Sequence, residues 1–529
     1  MKGIPMPENN KKVVVIGAGV AGLSAGIYAL KLGYHVKLFE KNAVPGGECT
    51  GWDRGGYHID NCIHWLMGTT PGSDLYDLYR ETRLIDDSIG VLRNDVMYTS
   101  WLNGQKLSLY SDLEKTRKEW IALSPEDEEE INTLFGNVAL GTSTVVPAGV
   151  PSEQLGGISG IWLLMKSLKM FKLFARYPRE STQDLMNKFR HPLIQRCLSD
   201  FCPRESKAYS FPIAYGNFAS GDGGVPIGGS RAAALRMKER FEELGGVYRG
   251  SAPVRSIEIA GDRATGIVLE DGSRVEADYI IPACDADFTF TQLLDRSYMP
   301  EKLKEYFDNP DQYTIYGMFQ AAWAIDDERD LLGHEINLDA PELKVEPWLN
   351  DRVTLKTFAY EPSFAPAGKQ IIQVLWGMDR SSWAYWKALG EDKEAYKAKK
   401  LELAALVKDK IERTWPEYRG KLTLLDAWTP CTYKRYCNAH NGYNQACILP
   451  KEASMRTAYP SPFIKGLKNV VLAGQWISPP GGIPGSCITG KFAAYRVDYL
   501  EHKALRIAKK IFWRNVVPTA VVLALIWLL

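Results

Sequence analysis

Several familiar signals are absent from this chain of 529 residues, and each absence excludes a class of protein. Lys and Arg number 64 and Asp and Glu number 63, so the formal net charge is only +1. This balance gives no general attraction to nucleic acid, and the chain has no recognisable nucleic-acid-binding motif. The segment Met1–Lys12 contains no apolar run, so we expect no secretory signal peptide.

Cysteine is present without a regular pattern. The nine cysteines are odd in number and scattered, which indicates reduced thiols in a cytosolic setting rather than a disulfide framework. Cys431, Cys437 and Cys447 do not match the spacing of a zinc site, so we predict that they are structural and that the chain holds no metal.

Since single hydrophobic cores stop growing at about 250–300 residues, the length of the chain favours two domains.

The most informative stretch begins at a β-branched run, Lys12–Ile16, which is typical of a buried parallel strand. The run leads directly into the glycine-rich turn Gly17-Ala18-Gly19-Val20-Ala21-Gly22. This order predicts a helix over Val20–Leu32 and a second strand over His35–Glu40. In such a unit the free N–H groups and the positive dipole end of the helix bind the pyrophosphate of a dinucleotide.

Each glycine of this turn has a predicted task. Gly17 permits the tight turn, Gly19 lets the backbone approach the pyrophosphate, and Gly22 lets the helix lie close to the strand. Glu40, at the end of the second strand, is placed to accept hydrogen bonds from the ribose hydroxyls of the adenosine. An acid at this position disfavours a ribose 2′-phosphate, so the predicted ligand is FAD or NAD rather than NADP.

A second glycine-rich element follows immediately. The doublet Gly46-Gly47 would let the backbone pass close under a cofactor again, which an extended FAD requires, and Gly56-Tyr57-His58-Ile59-Asp60 comes next. With these motifs the chain resembles the FAD-dependent amine oxidase-like superfamily, and within it the phytoene desaturase, carotenoid isomerase and retinol saturase group. Glu48 stands where many relatives carry a basic residue, and Asn61 stands near a usual small residue.

The resemblance implies an α/β fold, α+β overall, with a Rossmann-like FAD-binding domain and an interleaved substrate domain. We expect residues 1–90, 213–295 and 463–505 to form the FAD domain. Residues 91–212 and 296–462 would form the substrate domain, and residues 506–529 a basic, hydrophobic tail.

The far end of the chain carries what resembles the second FAD signature of this group. A predicted strand, Val470–Ala473, ends in a glycine, and Pro479-Pro480-Gly481-Gly482-Ile483-Pro484-Gly485 opens a helix. Backbone N–H groups at this helix start can face the flavin N1/O2 edge, where reduction places negative charge. Gln475 replaces the Asp that many superfamily members have after the strand. The cofactor contacts implied here are Gly474, Gln475, Gly482, Ile483 and Pro484.

The resemblance also implies cofactor contacts elsewhere and one candidate for the chemistry. The further cofactor contacts are Ala21, Lys41, Glu48 and Val254. Val254 matches the position where relatives place a valine backbone against the adenine. His64 lies in Asp60–Trp65, a segment similar to the retinol saturase version of the motif. It is either a proton donor beside the flavin or a hydrogen-bonded buried histidine.

Two segments combine cations with apolar side chains. Ile158–Tyr177 predicts an amphipathic helix with a basic arc of Lys166, Lys169, Lys172 and Arg176. Such a helix is either a membrane-surface element or a core helix with a solvated basic face. The uncharged Val516–Leu529 follows five cations and predicts a membrane anchor. Its fourteen residues reach about 21 Å as a helix, against a hydrocarbon core of roughly 30 Å, so spanning and half-insertion both stay open.

The sequence therefore favours a FAD-dependent oxidoreductase that acts on a long polyene or isoprenoid lipid, on the cytoplasmic side of a membrane. Desaturation, saturation and isomerisation all use the same flavin, so the motifs do not choose among them. Two alternatives stay open: an amine or porphyrinogen oxidase, and a non-catalytic prenyl-lipid escort of the same architecture. No pattern indicates an oligomeric state.

Overall fold

The computed structural model describes residues 10–155, 157–343, 350–379, 381–453 and 458–503. Strands and helices are numbered in chain order. The strands are β1 Lys12–Ile16, β2 His35–Phe39, β3 Gly51–Arg54, β4 Tyr57–Asp60, β5 Val91–Leu92, β6 Val96–Leu102, β7 Gln105–Tyr110, β8 Val225–Pro226, β9 Val247–Arg249, β10 Val254–Ala260, β11 Arg263–Leu269, β12 Arg274–Glu276, β13 Tyr279–Pro282, β14 Gly317–Ile325, β15 Glu335–Asp339, β16 Arg352–Thr357, β17 Gln370–Met378 and β18 Leu422–Trp428. The helices are α1 Val20–Lys31, α2 Asp74–Thr82, α3 Leu113–Leu123, α4 Glu128–Gly141, α5 Gly157–Lys166, α6 Leu168–Arg176, α7 Thr182–Met186, α8 Pro192–Phe201, α9 Ser210–Ala219, α10 Gly229–Glu243, α11 Ala286–Phe288, α12 Glu301–Asp308, α13 Ser381–Leu389, α14 Lys393–Thr414, α15 Pro430–Cys437 and α16 Gly482–Glu501.

A parallel sheet with the strand order β13-β1-β2-β9 carries the glycine-rich turn. The central strand β1 is buried from Val13 to Ile16, as its β-branched residues predict. The predicted strand–helix–strand unit is confirmed, with α1 one residue shorter than expected and Glu40 just beyond the end of β2. Because the strands are parallel, Gly17, Glu40 and the residue after β13 meet at one edge of the sheet.

The predicted strand Val470–Ala473 is present only as isolated bridges, Val470 with Ile280 and Val471 with Phe463. The backbone still follows β13, because Val471 N donates to Ile280 O at 3.0 Å and Ala473 N donates to Pro282 O at 3.1 Å. Pro282 has no N–H to donate in return, so the ladder lacks one bond and no regular strand is formed.

A seven-stranded sheet with the order β18-β14-β17-β16-β15-β6-β7 faces the other side of the site. Its pairs are antiparallel except β15 with β6. Side chains alternate along β14, so Phe319 and Trp323 pack into a core with helices α13 and α14. Met318 and Gln320 occupy the alternate positions of the strand. They therefore face away from those helices, toward the cavity that both sheets enclose.

The predicted helix Ile158–Tyr177 is present as two helices, α5 and α6. They meet at Ser167, whose N–H donates to Leu163 O and whose carbonyl accepts from Phe171 N, both at 2.9 Å. The predicted anchor, residues 506–529, lies outside the described residues. Within the described ranges, no helix is both long and apolar enough to cross a membrane.

Candidate cofactor and active site

One cavity of about 490 Å³ lies where the two sheets face each other. We call its first side the glycine wall, formed by Gly17, Gly19, Glu40, Lys41 and Val254. We call its second side the sheet wall, formed by His64, Met318, Gln320, Leu375 and Tyr433. The glycine wall comes from elements of the parallel sheet and from β10. The sheet wall comes from β14, β17, α15 and the loop after β4.

The glycines of the first turn differ in what surrounds them. Gly17 has φ +98°, and a Cβ there would lie 3.3 Å from the backbone of Ala283. A Cβ at Gly22 would overlap the carbonyl oxygen of Gly17. Both glycines are thus required by the protein itself, for the turn and for the contact between α1 and β1.

Gly19 has neither constraint. Its φ is −67°, a value that any residue adopts, and the nearest atom to an added Cβ is Gly46 O at 3.9 Å. The absent side chain therefore leaves open space on the cavity side. A ligand that approaches the backbone closely fits this space, as the pyrophosphate of a dinucleotide does.

Two helices begin at the cavity without a side chain that caps them. The N-cap residues are Gly19 for α1 and Gly481 for α16, and the first turns contain no acidic residue. A Cβ at Gly490 of α16 would overlap the carbonyl oxygen of Ala21 in α1, so the two helices cross in close contact. The crossing directs both positive helix ends at one cavity, which suits a ligand with a pyrophosphate and an electron-rich ring.

Glu40 has a structural role that sequence reasoning missed. Its carboxylate is 5 % exposed, and Oε2 accepts from Ala18 N at 2.8 Å. Oε1 accepts from the backbone N and side-chain Nδ2 of Asn42, both at 2.9 Å. The carboxylate that was predicted to bind the ribose therefore also fixes the glycine turn and the loop after β2.

Lys41 and Glu48 are the next two charged residues after Glu40 in the sequence, and burial shifts their pKa values in opposite directions. Lys41 Nζ donates to Arg435 O and Asn438 Oδ1, each at 2.7 Å, and burial lowers its pKa. Burial raises the pKa of Glu48 well above its usual range, and nearby Cys62 and Asp285 raise it further. Burial therefore favours the neutral form of Glu48, which carries no charge to repel an anionic ligand in the cavity.

His64 is hydrogen-bonded and partly exposed, and its role as a proton donor stays a prediction. It lines the cavity, and its Nδ1 lies 2.8 Å from Oε2 of Glu335, the first residue of β15. Beside it, Tyr433 donates its O–H to Asn61 Oδ1 at 3.0 Å and accepts from Gln320 Nε2 at 2.5 Å. The polar groups of the sheet wall are thus paired by side chains that are far apart in sequence.

Most of the predicted site residues lie on this cavity. Those that line it are Gly17, Gly19, Ala21, Glu40, Lys41, Gly46, Gly47, Glu48, His64, Val254, Gly474, Gln475, Gly482 and Ile483. Gly22 and Pro484 do not line it; Gly22 lies behind Gly17, and Pro484 lies within the first turn of α16. Met318, Leu375 and Asn444 also line the cavity, and no motif marked them, because β-strand alternation alone does not say which face meets a ligand.

Comparisons with known proteins agree with this geometry. A family model described as flavin containing amine oxidoreductase matches residues 20–498. The 4,4'-diaponeurosporene oxygenase of Staphylococcus haemolyticus is 23% identical over 519 residues, 94% of this chain and 98% of the relative. The neurosporene-forming phytoene desaturase of Rhodobacter capsulatus is 24% identical over 523 residues, 93% of this chain and 94% of the relative. A solved oxidoreductase from Methanosarcina mazei shares the fold, with a TM-score of 0.55, 17% identity, and coverage of 90% of this chain and 98% of that one.

Proposed function

The chain belongs to the family of flavin-containing amine oxidoreductases and uses FAD, and we propose that its substrate is a long apolar polyene of the carotenoid class. The observation that carries this proposal is the extent of the match with the two carotenoid enzymes. Each covers more than nine-tenths of this chain and of its own length. The likeness therefore includes the sheet wall, where a substrate would lie, as well as the FAD motifs.

Bound FAD supplies two-electron hydride chemistry. The chain's own residues supply the binding and the surroundings. The uncapped starts of α1 and α16 hold negative charge, and the open space over Gly19 admits the pyrophosphate. Met318 and Leu375 give the sheet wall an apolar surface that orients a hydrocarbon and excludes water.

Direct incubation tests the proposed substrate. The FAD-loaded protein is mixed with phytoene, lycopene isomers or retinol, once in air and once without oxygen after reduction by dithionite. We expect a change in the number or geometry of conjugated double bonds in at least one polyene, detected by chromatography with absorbance. Peroxide release with a soluble amine or porphyrinogen, and no polyene product, would contradict the proposal. Failure to bind FAD at all would favour the lipid escort.

We also propose that the protein meets its substrate at a membrane surface, through α5 and α6. Ile161, Met165, Leu168 and Phe171 on these helices are 62, 64, 58 and 46 % exposed. Lys169 and Lys172 are exposed on the same pair of helices. Large apolar side chains with cations beside them suit an anionic lipid surface, where each cation contributes about 1 kcal/mol.

Vesicle binding tests this surface separately from the tail. The full chain and a chain that ends at Lys503 are sedimented with phosphatidylglycerol vesicles. We expect both to bind, and a shortened chain with Gln in place of Ile161, Met165, Leu168 and Phe171 to lose most of its binding. Leu401→Gln, an exposed position on α14, is the matched control and should bind normally. A shortened chain that does not bind would assign membrane contact to the tail alone.

A further inference from the structure

His64 has a ring nitrogen at the cavity that is left without a protein partner, whereas three other titratable groups of the two walls are already paired. Among the described residues that line the cavity, it is the sole imidazole. Both oxygens of Glu40, the ammonium group of Lys41 and the hydroxyl of Tyr433 have protein partners. The Nδ1 of His64 is bound to Glu335, and its Nε2 makes no hydrogen bond within the described part of the chain. Nε2 is therefore the ring atom that is left to exchange a proton with a bound substrate.

Glu335 is held in the charged form by what surrounds it. Burial raises its pKa, but the attraction of His64, the hydrogen bond from His64 and the nearby His334 and Lys356 outweigh burial, so the net shift is downward. An anionic carboxylate can only accept, so Nδ1 must carry its proton toward Glu335. The hydrogen bond thereby fixes one tautomer, in which Nε2 carries a lone pair when the ring is neutral and an N–H when it is charged.

Lys356 holds the backbone next to His64 from the neighbouring strand. It lies directly opposite Glu335 in the β15–β16 register and is 2 % exposed. Its Nζ donates to Ile63 O at 2.6 Å. Burial lowers the pKa of Lys356, while Asp60 and Glu335 oppose that shift. One strand pair therefore binds both the ring of His64 and the peptide that precedes it.

His334 does not compete for Glu335. Burial and the charge of Lys356 lower its pKa to about 4, so it is neutral at pH 7. The titratable groups that interact with one another here are thus Glu335, Lys356 and neutral His334, with Asp60 acting on Lys356. Glu335 is the one member of this set that contacts the imidazole.

We propose that Glu335 is a positioning residue, which orients His64 so that Nε2 exchanges the proton that accompanies hydride transfer. This inference rests on the proposed function. In the saturating direction the π pair of the polyene would take the proton from Nε2–H and form a C–H bond, while the neighbouring carbon would gain the hydride that bound reduced FAD would supply. The imidazole is left neutral. In the desaturating direction Nε2 would accept the proton from one carbon, whose C–H pair becomes the π bond, while the neighbouring carbon loses a hydride for which bound FAD would supply the acceptor.

Glu335→Gln is the decisive variant, because it keeps the size of the side chain and removes its charge. We expect kcat to fall about 10-fold, and about 100-fold or more in His64→Gln, with KM and FAD affinity changed less than about twofold. Asp339→Asn, at the other end of β15, is the matched control and should match the wild type.

A second readout does not depend on turnover. Nitrogen-15 NMR of histidine-labelled, FAD-loaded protein reports the tautomer of His64, identified as the signal missing in His64→Gln. We expect a single Nδ1–H tautomer in the wild type and a mixture of the two tautomers in Glu335→Gln. An unchanged His64 signal in Glu335→Gln would overturn the inference. It would also be overturned if the FAD affinity of this variant fell by the same factor as its kcat. Absence of turnover with every polyene would instead contradict the proposed function.

Discussion

The glycine wall and the sheet wall line the same cavity, but the chain builds them in different ways. The glycine wall is mainly backbone: Gly17 and Gly19 lie within one turn, and the carboxylate of Glu40 bonds to Ala18, 22 positions away. The sheet wall is mainly side chains joined over long distances, such as His64 to Glu335, 271 positions apart. Recognition by the glycine wall therefore depends on shape and backbone N–H groups, and chemistry at the sheet wall depends on the docking of the two sheets.

The largest expected effect tests whether the glycine wall is set by the fold itself. In Gly22→Ala the new Cβ overlaps Gly17 O, a backbone atom that cannot move without opening the turn. We expect the free energy of unfolding to fall by about 4 kcal/mol or more, or the protein to be insoluble. Denaturant unfolding of the apoprotein measures this. A stable Gly22→Ala protein would show that the turn is more plastic than its contacts indicate.

The two walls also differ in how much of them the sequence could predict. The sequence predicts β1, α1 and β2 to within about one residue, because a β-branched strand and the glycine turn that leads into a helix are local patterns. The sequence does not show that Leu375 and Gln320 line the cavity, because the side of the sheet on which they lie depends on the register between β14 and β17. Glu335 follows no motif, and its pairing with His64 exists only once β15 is docked beside the loop after β4.

His334, which lies next to Glu335 behind the sheet wall, makes its own contribution to pH-dependent stability. Its pKa in the folded protein is about 4, against 6.5 for an unperturbed imidazole. Between these values the unfolded chain binds more protons than the folded one, so stability falls as the pH falls through this window. Through this group alone, the free energy of unfolding is lower at pH 4 than at pH 7 by about 3 kcal/mol.

His334→Asn removes this titration, and Asn tolerates the φ of +87° at this position. Between pH 7 and pH 4 the free energy of unfolding, measured with denaturant, should therefore fall by about 3 kcal/mol less in the variant than in the wild type. Equal losses in the two proteins would mean that His334 is protonated in the folded state, and that the charges beside Glu335 are arranged differently.

Gly19→Ala separates a glycine required by the ligand from one required by the fold. Its Cβ would enter open space, so the apoprotein should unfold within about 0.5 kcal/mol of the wild type. The same methyl group occupies the cavity, and we expect FAD affinity to fall about 100-fold, or about 2.7 kcal/mol. Fluorescence titration with FAD measures this. Normal affinity would mean that the cofactor backbone passes elsewhere on the glycine wall.

The smallest expected effect distinguishes two acids on the cavity. The carboxylate of Glu40 accepts hydrogen bonds from backbone N–H groups on both of its oxygens. In Glu40→Gln one of these oxygens becomes an NH₂ group, which cannot accept. We therefore expect the free energy of unfolding to fall by about 1–3 kcal/mol. Burial raises the pKa of Glu48 and so favours its neutral form, which Gln resembles in shape and charge. We expect Glu48→Gln to bind FAD within about threefold of wild type at pH 7, a difference below about 0.7 kcal/mol. A much tighter complex in Glu48→Gln would show that the wild-type carboxyl is ionised and repels the cofactor.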